Sequence, residues 1–159
     1  EPGKEMLRRL SLTFKQYAFI QSSDVSLNVT RTNRYVVNSE GTEVVTGESF
    51  VRLSYSITAL TSDGMPVERF KSYDGIQMTE LPGEDVVIRD MERSASELQA
   101  LLNAPLAEPY AGPAIFSGEA AGVYFHEILG HRLEGHRQKL EEEGQTFKNK
   151  VRKGLNGPD

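Results

Sequence analysis

Between Val51 and Ala59 every second residue is apolar: Val51, Leu53, Tyr55, Ile57 and Ala59, with Arg52, Ser54, Ser56 and Thr58 between them. Successive side chains of a strand point to opposite faces, so this run buries one face and wets the other only as a strand. A sheet with one dry side follows. An earlier alternation, Val25, Leu27 and Val29 against Ser26, Asn28 and Thr30, predicts a second half-buried strand from Asp24. Turn chemistry at Thr32-Asn33 and at Ser39-Glu40-Gly41-Thr42 divides the intervening chain into strands at 34–38 and 43–46. Asn38, Ser39 and Gly41 belong to that turn chemistry. Ser62-Asp63-Gly64 then returns the chain into a strand over 67–73, ending near Asp74-Gly75. The expectation is an antiparallel meander of short strands.

Helical spacing brackets the sheet. Met6, Leu7, Leu10 and Phe14 form one stripe within 4–17, and Val87, Ile88, Met91, Ala95, Leu98 and Leu101 form another within 84–103, after the break at Leu81-Pro82-Gly83. Prolines at 105, 109 and 113 make 105–113 an extended linker. Three parts are expected: 1–104 with the sheet and its helices, the linker 105–113, and 114–159 carrying a different structure. In the last part Ala114-Ile115-Phe116 reads as a short strand, Ser117 as a helix cap with Glu119 in the first turn, and Gly135 as the stop. Residues 137–153 are heavily charged and read as exposed helix or mobile loop. The fold class is α+β: an antiparallel meander sheet with flanking helices, followed by a short strand and a helix that carries the chemistry.

Composition narrows the chemistry. The net charge of −5 is spread along the chain and leaves no basic footprint, so neither nucleic acid nor an anionic membrane is an expected partner. No apolar run is long enough to cross a bilayer, and no charged-then-apolar signal opens the chain, so a cytoplasmic location is expected. There are no cysteines, which removes disulfides and also the softest zinc ligand. The opening Glu1 and the turn-like Gly157-Pro158-Asp159 suggest a piece of a longer protein.

All three histidines, His126, His131 and His136, fall in one short segment, and Glu127 follows the first of them directly. The common zinc-protease pattern places two histidines four residues apart on one helical face, with a glutamate beside the first to activate water. Here the interval is five, which on a regular helix leaves the two side chains about 140° apart. A wider π-type turn closes that angle, and Gly130 is the residue expected to permit it. On the projected helix Ala121, Tyr124, Phe125, Ile128, Leu129 and Leu133 form an apolar arc expected to anchor in a core, opposite His126, Glu127, His131 and Glu134. Spacing alone leaves a solvated charged face equally open. Glu134 suits either a carboxylate that holds an imidazole or a solvated helix end. His136 continues the five-residue interval, but beyond Gly135 it is expected to point away from the polar arc. Arg132 reads as a surface or substrate-contact residue.

The runs Gly112-Pro113-Ala114-Ile115-Phe116, Ala120-Ala121-Gly122 and His126-Glu127-Ile128-Leu129-Gly130-His131-Arg132-Leu133-Glu134-Gly135 resemble the His-Glu-x-x-x-His region of the TldD/PmbA metallopeptidase family. Arg34 to Thr42 resembles the sheet segment that precedes it there. The resemblance runs from about Asp24 to Glu134. It implies a zinc peptidase that degrades unfolded peptides or matures peptide precursors, in a family also described as modulators of DNA gyrase. It further implies His126 and His131 as zinc ligands and Glu127 as the catalytic base. The third ligand would be a cysteine from a later domain, and the assembly a homo- or hetero-oligomer with a TldD/PmbA-type subunit. The competing expectation is a non-catalytic module that captures peptides or regulates a partner.

Overall fold

The computed structural model describes residues 2–138, and its contacts divide the chain into two units, Glu1–Ala107 and Glu108–Asp159. The first unit is an α+β layer pair. Helix α1 (Pro2–Leu12) tightens into a 3₁₀ turn at Thr13–Gln16, and strands β1 (Ser22–Val37), β2 (Glu43–Leu60) and β3 (Pro66–Gly75) follow. A 3₁₀ turn at Met78–Glu80 leads into helix α2 (Glu84–Leu102). The sheet is antiparallel, in the order β1-β2-β3.

The alternating run of β2 supplies the core. Leu53, Tyr55, Ile57 and Ala59 are buried together with Leu10 of α1, Phe14 of the 3₁₀ turn, and Val87, Met91, Ala95 and Leu98 of α2. Both helices therefore cover one face of the sheet. The other face is polar: Ser26 and Ser54, paired in register, share a 3.0 Å hydroxyl hydrogen bond, and Arg52 donates two hydrogen bonds to its register partner Asp74.

The strands are fewer and longer than expected. Thr32-Asn33 does not turn; these residues stay in register opposite Glu48 and Gly47, and β1 continues to Val37. The reversal lies at Asn38 to Thr42, where the Asn38 side chain accepts from the Glu40 and Thr42 N–H groups at 3.0 Å each and Gly41 takes φ +82°. Asparagine followed by a glycine in the left-handed region satisfies the turn internally, which Thr32-Asn33 has no glycine to do. Since β3 pairs only with residues 51–60 of β2, residues 30–37 and 43–50 run on as a two-stranded ribbon. Tyr35, Val37 and Val45 stand exposed on it.

The end of the helix expected over 4–17, Thr13–Gln16, is the 3₁₀ turn rather than α-helix. Residues 114–116 form no strand: no strand of the described residues pairs with them, and Ile115 is fully exposed. The charged stretch 137–153 lies outside the described residues beyond Gln138.

Lys71, Tyr73 and Asp90 tie β3 to α2. Lys71 Nζ and Tyr73 Oη each donate to Asp90 Oδ2 at 2.7 Å, and the Asp90 side chain is mostly buried. The hydrogen bond from Lys71, then that from Tyr73, holds the Asp90 carboxyl below its ordinary range. Burial first, and the bond to Asp90 second, push the Tyr73 hydroxyl up.

Two measurements check this account. Ile57→Ala removes a fully buried side chain from the central strand and is expected to cost about 2–5 kcal/mol in urea unfolding. A carboxyl with a depressed folded pKa stabilises fully above its unfolded value of about 3.9 and loses that contribution as pH falls through the lower folded value. Asp90→Asn is therefore expected to destabilise at pH 7 by about 1.5–3 kcal/mol, with the difference from wild type shrinking below about pH 4.

Candidate metal centre

The second unit begins in chain without helix or strand. Ser117 ends it by capping helix α3 (Gly118–Phe125), its side chain accepting from the Ala120 N–H at 3.5 Å, and Glu119 stands in the first turn where the helix dipole favours an acid. From His126 to Gly130 the winding is π, with the His131 N–H donating to the His126 carbonyl five residues back. The α-helical winding resumes as α4 (His131–Leu133), and Glu134 leaves it in extended conformation. A short 3₁₀ turn, Gly135–Gln138, follows.

That wider turn brings the fifth residue round. The His126 and His131 rings lie 4.3 Å apart, centre to centre, at 72°. The Glu127 carboxylate stands near both, with Oε1 3.9 Å from His126 Nε2 and Oε2 3.9 Å from His131 Nε2. One donor atom from each of the three side chains falls within 4.8 Å of the others, and the cluster could hold a metal ion. Two imidazoles and a carboxylate suit a first-row divalent cation. Bonds of about 2.0–2.1 Å at a tetrahedral ion separate donors by about 3.4 Å, so the side chains must close by about 1 Å. His126 and Glu127 are about 60% exposed and are free to rotate that far.

Gly130 contributes less than its position suggests. Its backbone is ordinary right-handed helix, φ −53° and ψ −58°. A Cβ there would meet the Phe125 carbonyl oxygen at 3.8 Å and His126 Nδ1 at 4.0 Å, which is normal contact. Neither left-handed freedom nor a clash with the surrounding protein requires glycine at 130. The apolar arc also departs from expectation. Tyr124, Phe125, Ile128, Leu129 and Leu133 are all at least one-third exposed. The arc satisfies itself only in part, through a Phe116–Tyr124 stack at 5.0 Å and a Tyr124–Phe125 edge contact at 5.6 Å.

Behind His131 stands Glu134. His131 Nδ1 lies 3.0 Å from Glu134 Oε1, and Arg137 Nε donates to Glu134 Oε2 at 2.5 Å. The bond from His131 and, more weakly, that from Arg137 hold the Glu134 carboxyl below its ordinary range. His136 does not join the cluster; it is exposed, with Nε2 3.6 Å from Glu134 Oε2. Arg137 was not legible as part of the site because it opens the charged stretch, although its three-residue spacing from Glu134 is the helical pairing interval.

Replacing Gly130 with alanine tests the account of the turn. Gly130→Ala is expected to keep the π winding and the ring-to-ring approach, visible as retained inter-ring proton contacts by NMR, while stabilising the helix by up to about 1 kcal/mol. Loss of those contacts would return the turn to glycine.

No family profile, characterised protein or solved structure matches the chain. Its function is therefore read from the side chains themselves.

Proposed function

We propose that this protein is a zinc-dependent peptidase, or the zinc-bearing part of one, of the TldD/PmbA kind. The observation that supports this most is the π turn at His126–Gly130, with two imidazoles 4.3 Å apart and a carboxylate 3.9 Å from a nitrogen of each. Such π turns are rare and concentrate at functional sites. In this reading His126 and His131 hold the ion, and the third protein ligand comes from outside the described residues, as the cysteine does in the family the sequence resembles. When bound, zinc supplies Lewis acidity toward water and toward the carbonyl to be cut.

The residues of this chain do the rest. Glu127 takes a proton from the attacking water, whose oxygen bonds to the carbonyl carbon. The same carboxyl then delivers that proton to the departing amide nitrogen as the C–N bond breaks. One water is consumed and two peptide ends are released. The openness of the site suits an extended, unfolded chain, and either degradation or maturation of peptides fits that substrate class. The gyrase connection of the resembled family stays with that resemblance.

One observation favours a second reading, a non-catalytic module that binds peptides or regulates a partner: the described residues bring together three donors, and the peptidase reading uses one of these as its base. A catalytic zinc needs three protein ligands besides water.

The full-length gene product, prepared without chelator, separates the two. The peptidase reading expects about one zinc per chain, lost in His126→Ala and in His131→Ala. Glu127→Gln is expected to keep the metal while peptide hydrolysis falls about 10²- to 10⁴-fold. Metal-loaded protein that cuts no peptide would favour the binding module. Undiminished hydrolysis by Glu127→Gln would remove Glu127 from its role.

A further inference from the structure

We infer that Glu134 and Arg137 are a positioning pair that fixes which nitrogen of His131 faces the metal site, an inference that rests on the two-histidine reading above. His131 has two ring nitrogens, and in the neutral ring one carries the proton while the other has the lone pair. A ligand must present the lone pair toward the ion, so its proton must sit on the opposite nitrogen. In this protein the nitrogen near Glu127 is Nε2, at 3.9 Å, and the opposite one, Nδ1, lies 3.0 Å from Glu134 Oε1. A carboxylate only accepts, so this contact requires Nδ1–H and leaves Nε2 bare.

Arg137 makes the selection firm. Its Nε donates to Glu134 Oε2, the oxygen that His131 does not use, so the carboxylate is held at both ends. The Glu134 and Arg137 side chains are 35% and 27% exposed, unlike those of His126 and Glu127, so the clamp stands on the more sheltered side of the cluster. Arg137 Nη2 also lies 3.3 Å from His131 Nδ1. A guanidinium only donates, so that contact becomes a hydrogen bond only if Nδ1 is bare. The two contacts demand opposite tautomers. The Glu134 contact is the shorter of the two, and Arg137 already donates through Nε to the carboxylate, which decides for Nδ1–H.

The competing tautomer gives the experiment. Long-range ¹H–¹⁵N correlation on the metal-free chain at a pH where His131 is neutral reads the proton's position directly, independent of activity. Wild type is expected to show Nδ1–H. Glu134→Ala is expected to shift His131 toward the Nε2–H form that an unrestrained imidazole favours. Glu134→Gln is expected to do the same, because Arg137 takes its one amide oxygen and its NH2 faces Nδ1. The double variant Glu134→Gln with Arg137→Met, whose amide oxygen is free to accept, is expected to restore Nδ1–H. Arg137→Met is expected to lie between wild type and Glu134→Ala. Zinc affinity, read by chelator competition on the same samples, is expected to fall about 10- to 100-fold in Glu134→Ala and to recover in the double variant Glu134→Gln with Arg137→Met. Nε2–H in wild type, or a tautomer indifferent to Glu134, overturns the inference. Nδ1–H with no measurable zinc binding by the full-length protein overturns the peptidase reading and leaves the clamp standing.

Discussion

Tyr55 is the residue on which the larger unit closes. It lies at the middle of β2, buried, with its ring 5.7 Å from Phe14 and its hydroxyl 2.9 Å from Ser94 Oγ. One side chain thereby joins the central strand to the turn after α1 and to the middle of α2. Burial pushes its hydroxyl pKa up, so the group stays neutral and serves as a hydrogen-bonding partner rather than a charge. A tyrosine in a core needs such a partner for its hydroxyl, and Ser94, buried on the inner face of α2, supplies it. This fixes the height of α2 along the sheet, while the aliphatic neighbours Leu53, Ile57, Met91 and Leu98 supply non-directional burial. The register of β2 in turn sets that of β1 and β3, because a slip by one residue would turn Ser26 and Asn28 of β1, or Ser72 and Asp74 of β3, toward the core.

What could be read without coordinates follows the range of the forces involved. The alternation of residues 51–59 and the stripes of α1 and α2 are periodic over many residues, and the structure buries those side chains wholly or in part, except Leu101 near the end of α2, which is exposed. Single turns depend on fewer atoms. Thr32-Asn33 and Asn38 to Thr42 have similar composition, yet only the second combines an asparagine that accepts two backbone N–H groups with a glycine at positive φ. Neighbouring strands also overrode local turn preference, since Asn33 pairs across from Gly47 and breaking the ribbon there would forfeit ladder hydrogen bonds on both sides. Residues 114–116 show the reverse case. Their apolar character fits a strand, but a strand exists only where another pairs with it.

The histidine helix divides along the same line. Its local winding was legible because a five-residue interval between two convergent side chains constrains the turn that joins them, whatever surrounds it. The fate of its apolar arc was not, since burial depends on what lies opposite and amphipathic spacing does not name a partner. Ile128 and Leu129, on the arc, are 37% and 42% exposed. The clamp behind His131 was half legible: Glu134 by its place on the polar arc, Arg137 only once the chain after Glu134 is seen to fold back in a 3₁₀ turn.

The distances around Glu127 carry a chemical consequence of their own. At 3.9 Å from an imidazole nitrogen on either side, its two oxygens are too far for direct hydrogen bonds and near enough to share an intervening group with both rings. A contracted cluster, with ring N–H groups donating to the carboxylate, would leave those nitrogens without a lone pair for a ligand. A looser one would place no two donors around a common atom. The four-residue arrangement on a regular helix reaches a similar spacing by stacking the side chains one turn apart. The five-residue arrangement reaches it by widening the turn itself, with the flanking carboxylate 3.9 Å from a nitrogen of each ring. Convergence of this kind is thus a property of the backbone winding, and the side chains inherit it.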